Sequence, residues 1–350
     1  MLKQLTIKNL TVFSESVFDF SPNLNVIIGE NSTGKSHLLK IAYSVMATSS
    51  EAGKKNSAVE PTKAYLQKAI AEKLINVFRP DSLGRLVRRR QGRDRCEVSF
   101  RFDQEALDSD ISFATNAKSD VQIDRLPTVW LSASPLYLPT RELLTIYPGF
   151  ASMYSNHYLP FEETWLDTCL YLGAPAVRGP REAKAAELLE PLEEAMGGRV
   201  VLDSNGRFYL RIPGSGNMEM SLVAEGLRKL AMLARLIATG TILDQGYLFW
   251  DEPEANLNPR LIRKVAAIID VLSRQGIQIF IATHSYFLLK ELDMLSRKNL
   301  GKQMFFALHK DEDENGVTVE KAEILGYLDG IVSLDEELAQ YDRELELRHA

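Results

Sequence analysis

The chain has 350 residues, of which 45% are hydrophobic and 25% charged, and 41 Lys and Arg against 47 Asp and Glu leave a formal net charge of −6. That balance excludes disordered and fibrous classes, and a surface that coats nucleic acid on every side, while leaving room for a large core, a second lobe and a local basic patch. Cys96 and Cys169 have neither metal-ligand spacing nor the number for a disulfide framework; with no apolar leader at residues 1–6 and no uninterrupted apolar span, the expectation is a cytoplasmic protein without membrane contact.

At the start, Leu2, Leu5 and Ile7 alternate with Lys3, Thr6 and Lys8, the pattern of a half-exposed strand. Val17, Phe18 and Phe20 predict a second strand, and Asn25-Val26-Ile27-Ile28 a buried third. A glycine-bearing turn follows, then a helix patterned by Leu38, Leu39, Ile41, Ala42 and Val45. Residues 47–60 are small and polar, so a loop is expected. Pro61 opens a helix through Leu66, Ile70, Leu74 and Val77 that ends before Pro80. A strand is expected at 96–102, no clear period appears over 104–127, and a short strand at 135–139 leads into Thr140, Arg141 and Glu142.

Residues 161–196 read as two helical pieces broken by Gly173, Pro175, Gly179 and Pro180, and 199–212 as a hairpin about Asn205 and Gly206. The last third alternates strand and helix, with strands at 247–250 and 277–282, a strand pair at 303–308 and 317–324, and an acidic helix at 334–347. The whole is an α/β chain: residues 1–45 plus 200–350 form a core, and 46–199 an inserted, largely helical lobe with some strands.

Gly29, Glu30, Asn31, Ser32, Thr33, Gly34, Lys35 and Ser36 fit G-x-x-x-x-G-K-[ST]. The glycines let the backbone wrap a phosphate while successive N–H groups point at its oxygens, and the following helix adds its positive end. Lys35 then reaches the β- and γ-phosphates and Ser36 ligates magnesium, with His37 next in the same helix start. A bare glycine turn is the bland alternative, but the strand before and helix after are the context the motif requires. Tyr247, Leu248, Phe249 and Trp250 end in Asp251 and Glu252, two carboxylates at the carboxyl edge of a buried strand. Asp251 suits the magnesium shell and Glu252 suits polarising the attacking water. One strand–helix unit later, a strand ends in His284, placed to approach a γ-phosphate.

These three elements in this order resemble the ABC ATPase superfamily, specifically its SMC, RecF and OLD-like branch. The amino-terminal pattern 5–10, the strand near Phe18 and the P-loop are similar to that branch, and Asp251-Glu252-Pro253-Glu254-Ala255-Asn256-Leu257-Asn258-Pro259 resembles its Walker B segment and D-loop, with Asn258 in place of a common aspartate. His284 matches its switch histidine. The resemblance covers roughly 1–45 and 215–290. It implies a P-loop NTPase head with a mixed sheet, and ATP and Mg2+ as cofactors. It also implies a signature motif, best matched by Ala224, Glu225 and Gly226, where the family's serine is replaced or supplied by Ser221. The family's Q-loop glutamine has no clear match; Arg141 and Glu142 follow the strand where that loop is expected, and are read as neighbours of the catalytic groups or as salt-bridged scaffold, with the former preferred. The resemblance further implies a homodimer assembled head to head, each ATP held between one P-loop and the other signature, with turnover acting as a switch.

The one concentrated basic run carries Arg85, Arg88, Arg89, Arg90, Arg93 and Arg95, and serves nucleic-acid phosphates, a partner protein or a solvated loop. No long heptad run exists, so this is no long-armed SMC protein. Residues 73–80, 83–86 and 138–144 resemble stand-alone bacterial AAA/OLD-like ATPases that accompany a separate effector in anti-phage systems. That resemblance implies an ATPase switch regulating a separate effector, with a nuclease expected. A RecF-like DNA-repair ATPase and an ATP-bound scaffold are the alternatives, and Glu252 weighs against the scaffold.

Overall fold

The computed structural model describes residues 1–55, 59–88, 94–157, 159–178, 180–311 and 316–349. In chain order its strands are β1 Leu2–Leu10, β2 Phe13–Asp19, β3 Leu24–Gly29, β4 Arg95–Phe102, β5 Ser109–Ala114, β6 Gln122–Arg125, β7 Pro135–Leu138, β8 Arg199–Leu202, β9 Phe208–Ile212, β10 Gly216–Glu219, β11 Tyr247–Asp251, β12 Gln278–Thr283, β13 Gln303–Asp311 and β14 Gly316–Ala322. The helices are α1 Lys35–Lys55, α2 Lys63–Phe78, α3 Tyr147–Asn156, α4 Glu163–Leu172, α5 Pro180–Met196, α6 Glu225–Ala238, α7 Thr241–Asp244, α8 Pro259–Arg274, α9 Tyr286–Asn299 and α10 Val332–His349.

The unbroken apolar runs become the middle of a six-stranded sheet ordered β14-β13-β3-β12-β11-β7. Neighbours from β7 to β13 are parallel, and β14 closes the edge antiparallel to β13. Strands buried on both faces are apolar at most positions, because successive side chains point to opposite sides, and the buried exceptions Asn25 and Gln278 are hydrogen-bonded. Val26, Leu248, Trp250, Ile279 and Ile281 face one core, with α6, α8 and α9. Ile27, Tyr247, Phe249 and Phe280 face the other, with α1, α2 and a second sheet. That second sheet is antiparallel, ordered β2-β1-β4-β5-β6, and its strands show the alternation of one buried face. A small third sheet is ordered β10-β9-β8.

The two large sheets are tied by a buried glutamine. Gln278 Nε2 donates to Leu2 O (2.7 Å) and Ser21 O (2.9 Å), and its Oε1 accepts from Leu2 N (2.9 Å).

Several local expectations need correction. The polar segment after residue 46 is not a loop to 60, since α1 continues to Lys55. Its hydroxyls are satisfied inside the helix, Ser44 donating to Lys40 O (2.7 Å) and Thr48 to Ser44 O (2.8 Å), so small polar residues extend it with Ala47 and Ala52 buried. The stretch 104–127 holds β5 and β6, short strands with few apolar positions. Residues 46–199 supply β4, β5 and β6 to the antiparallel sheet and β7 to the central one, alongside helices α2 to α5. Among the described residues no helix is long and apolar enough to cross a membrane.

Candidate functional site

The turn from β3 into α1 carries residues 29–36. Gly34 sits at φ +91, and a Cβ there would lie 2.6 Å from Val12 Cγ2, so only glycine fits. Ser32 is also left-handed, at φ +69. Lys35 is buried and its ammonium donates to Gly29 O (2.8 Å) and Glu30 O (2.7 Å), curling the loop around it. Burial pulls the Lys35 pKa below its usual range, while Glu252, Asp251, Glu254 and Glu30 oppose that shift. Thr33 Oγ1 donates to Glu30 O (2.8 Å), and the Glu30 carboxylate pairs with Lys310 of β13 (2.9 Å). Asn31 and Ser32 are exposed.

His37 does not offer its ring to this loop. Its Nδ1 lies 3.0 Å from Thr11 Oγ1 and its ring packs beside Phe78, and burial pushes its pKa down to about 4. Its backbone N–H lies in the first turn of α1.

Across the sheet, Asp251 ends β11 with its carboxylate between two hydroxyls. Ser36 Oγ donates to Oδ1 (3.0 Å) and Tyr137 OH to Oδ2 (3.2 Å). Burial raises the Asp251 pKa, and these two donors pull against it. Tyr137, from β7, was missed in the sequence; an aromatic hydroxyl in an otherwise apolar strand signals a buried partner. Ser36 and Asp251 are the hard oxygen donors a magnesium ion takes. Among the described residues no group of three or more His, Cys, Asp or Glu side chains gathers to hold a metal, so such an ion would complete its shell from phosphate oxygens and water.

Glu252 follows in a left-handed conformation, φ +49, with its N–H donated to Ala282 O (2.8 Å). Its Oε1 lies 3.4 Å from His284 Nδ1. Glu254 is buried and anchors the loop bearing that histidine, accepting from Thr283 Oγ1 (2.5 Å) and His284 N (3.3 Å). The chain thus turns sharply after the buried strand, and carboxylate and imidazole meet at the carboxyl edge beside Lys35.

The signature-like residues lie elsewhere. Ala224 is the N-cap residue of α6, and Glu225 and Gly226 begin it. Gly226 is pressed against the D-loop, where a Cβ would stand 2.4 Å from Asn256 O. Among the described residues no hydrogen bond or ion pair joins Ala224, Glu225 or Gly226 to the P-loop. Asn258 caps α8, its Oδ1 accepting from Leu261 N (3.1 Å).

Glu142 is salt-bridged within the scaffold, the second of the two readings given for it. It is buried, accepts from Leu144 N (2.8 Å) and Thr145 Oγ1 (2.8 Å), and pairs with Arg228 Nε (2.8 Å). In the basic run, Arg89, Arg90 and Arg93 lie outside the described residues. Arg88 is buried, Arg85 is exposed, and the Arg95 guanidinium bonds Ser112 Oγ (2.7 Å) and Gln122 Oε1 (2.9 Å).

The family described as "AAA domain, putative AbiEii toxin, Type IV TA system" matches residues 24–290. No curated protein matches the chain. Among solved structures, the SMC head domain from Thermotoga maritima is similar at 14% identity and TM-score 0.50, covering 92% of this chain and 99% of that one. An Smc head bound to the C-terminal winged-helix domain of ScpA is similar at 13% and 0.56, covering 93% and 98%. An Smc head with an extended coiled coil, bound to the C-terminal domain of ScpA derived from Pyrococcus furiosus, is similar at 12% and 0.52, covering 98% and 99%. At these identities the likeness is one of fold, and the fold is that of a P-loop NTPase head.

Proposed function

Because this chain belongs to that AAA-domain family and is built as an SMC-like P-loop ATPase head, we propose that it binds and hydrolyses ATP with magnesium as a switch. The observation that carries the reading is the pair at the end of β11: Asp251 bonded to Ser36 of the P-loop, and Glu252 held 3.4 Å from His284. A nucleotide pocket that only stores its ligand has no need of the second carboxylate.

The residues divide the work by charge. Lys35 and the first N–H groups of α1 offset phosphate charge. Ser36 and Asp251 would hold the cation, with Tyr137 fixing the carboxylate. When bound, magnesium would supply neutralisation of the charge that develops in the reaction. Glu252 orients water and accepts its proton, and His284 stands where it can donate to a phosphate oxygen. Gly226 rests on its own D-loop, so a nucleotide on Lys35 lacks a signature contact within one copy. That supports a head-to-head homodimer in which each copy completes the other's site.

The family's toxin-system description supports a defence role exercised through a separate effector, with a nuclease expected. The seating of a separate ScpA domain on two of the similar heads is compatible with action through a partner.

Light scattering of wild type and Glu252→Gln, each with and without ATP and magnesium, tests the switch. The variant is expected to double in mass with ATP and to lose phosphate release by at least about a hundredfold; once Lys35→Ala is added the doubling disappears and phosphate release stays low. A mass indifferent to nucleotide in every variant, or a Glu252→Gln protein that still releases phosphate at the wild-type rate, would sink the reading.

A further inference from the structure

Glu252 is held in an unfavourable backbone conformation. The segment after β11 places two non-glycine residues in the left-handed region, Glu252 at φ +49 and Asn256 at φ +63. A backbone of that kind persists only where its surroundings over-determine it. Part of the constraint is local: Ala255 N donates to Glu252 O (3.1 Å), and Leu257 N to Glu254 O (3.0 Å).

The rest comes from α6, which touches the segment at both ends. At one end Gly226 seats against Asn256 O, leaving no room for a side chain. At the other is Lys229, one helical turn further on and only 3% exposed. Its ammonium donates to the backbone carbonyl of Glu252, and Ala255 O lies 3.5 Å away. Burying a lysine is costly, and an apolar residue would pack in the same place more cheaply. This one spends its charge on a single short turn, and Asp251, Glu252 and Glu254 all act on it from that turn. The neighbouring Arg228 fixes the start of the same helix, donating to Val223 O (2.9 Å) and pairing with Glu142.

We propose that Lys229 is a positioning residue for hydrolysis: its ammonium holds the Glu252 backbone in the left-handed conformation that presents the carboxylate to His284. The inference rests on the reading of Glu252 as the general base and extends it to a residue that touches none of the reacting atoms. It also gives α6 a direct mechanical hold on the catalytic carboxylate. Whatever engages Ala224, Glu225 and Gly226 at the start of that helix is therefore felt at Glu252 of the same chain.

The test is a double-mutant cycle on the full chain, with ATP turnover and binding of a fluorescent ATP analogue measured for each protein. Lys229→Met is close in length and removes the charge. It is expected to lower kcat by about a hundredfold, the cost of a misplaced catalytic group, while changing KM and analogue Kd by less than about threefold. In a Glu252→Gln background the same substitution should change the residual rate by less than about threefold, because two residues acting as one unit are not additive. Lys229→Gln keeps a neutral donor and guards against misfolding of the first variant; it should fall between Lys229→Met and wild type. Turnover within threefold of wild type in both variants overturns the proposal. So does a parallel loss of analogue binding, or an equal loss in both backgrounds, since either marks general damage. A wild type without turnover sinks the reading of Glu252 and this inference together, whereas an active wild type beside equally active variants sinks the inference alone.

Discussion

Asp251 is a carboxylate that its surroundings do not favour and two hydroxyls hold in place. Burial raises its pKa, and the bonds from Ser36 and Tyr137 work against that. A hydrogen bond to a charged group contributes about 1.5–3 kcal/mol, so Tyr137→Phe should weaken the cation-holding form by roughly tenfold. The expected outcome is a higher magnesium concentration for half-maximal ATP turnover, with the plateau rate little changed. An unmoved magnesium midpoint would mean that Ser36 alone sets the carboxylate. That Ser36 meets Asp251 and Glu252 meets His284 was legible in the sequence, because each stands at a strand end or inside a run whose spacing is itself the signal. Tyr137 and Lys229 were not: each reaches its partner across the fold, from 114 residues away in the first case, and no spacing along the chain encodes such a contact. For His37 the motif's spacing does not say where the ring goes: neighbouring positions on a helix point to different faces, and the ring turns toward Thr11 and Phe78.

Among the elements, α6 is pinned as well as packed. Its apolar face, Leu230, Leu233, Ala234 and Ile237, lies in the core, while Arg228 pairs with buried Glu142 in the segment after β7. Removing one partner of such a pair leaves a desolvated charge and also uncaps Leu144 and Thr145. Glu142→Ala is therefore expected to cost about 3 kcal/mol, read as a lower urea midpoint with an unchanged slope. A midpoint equal to wild type would show that the pair contributes nothing net. Elements that bury both faces or alternate cleanly were the readable ones, β3, β11 and β12 by apolar runs and β1 and β4 by period two. The tail of α1 was hidden by Ser44, Thr48, Ser49 and Ser50: the first two bond back within the helix, while Ser49 accepts from Leu131 N (3.0 Å) and Ser50 meets Ser134 Oγ (2.7 Å), and neither kind of bond leaves a mark on hydrophobic periodicity. β10 was hidden for a different reason: all four of its residues are exposed, so backbone pairing with β9 defines it without any buried side chain.

At the scale of the molecule, two cores share one sheet. Phe306 of β13 meets Phe18 of the antiparallel sheet and Phe20, the residue after β2, edge to face, and Phe20 meets Phe280 of β12. With Gln278 bridging to Leu2 and Ser21, this seam makes the two sheets a single folding unit. Phe306→Ala is expected to cost about 3–5 kcal/mol and to lower one cooperative thermal transition; two separated transitions would show that the sheets unfold independently. The central position of β3 has a further consequence for biosynthesis. Its partners are β12 and β13, so Val26 pairs with Ile281 on one side and Phe305 on the other. The P-loop at its end closes on Asp251, 215 residues beyond Ser36. At about 5–20 residues per second on the ribosome, an apolar strand with both edges unpaired waits tens of seconds for the polypeptide that covers it. A nascent chain that has not yet reached β12 and β13 therefore has no assembled phosphate cradle, and nucleotide has nothing to engage until those strands have been made.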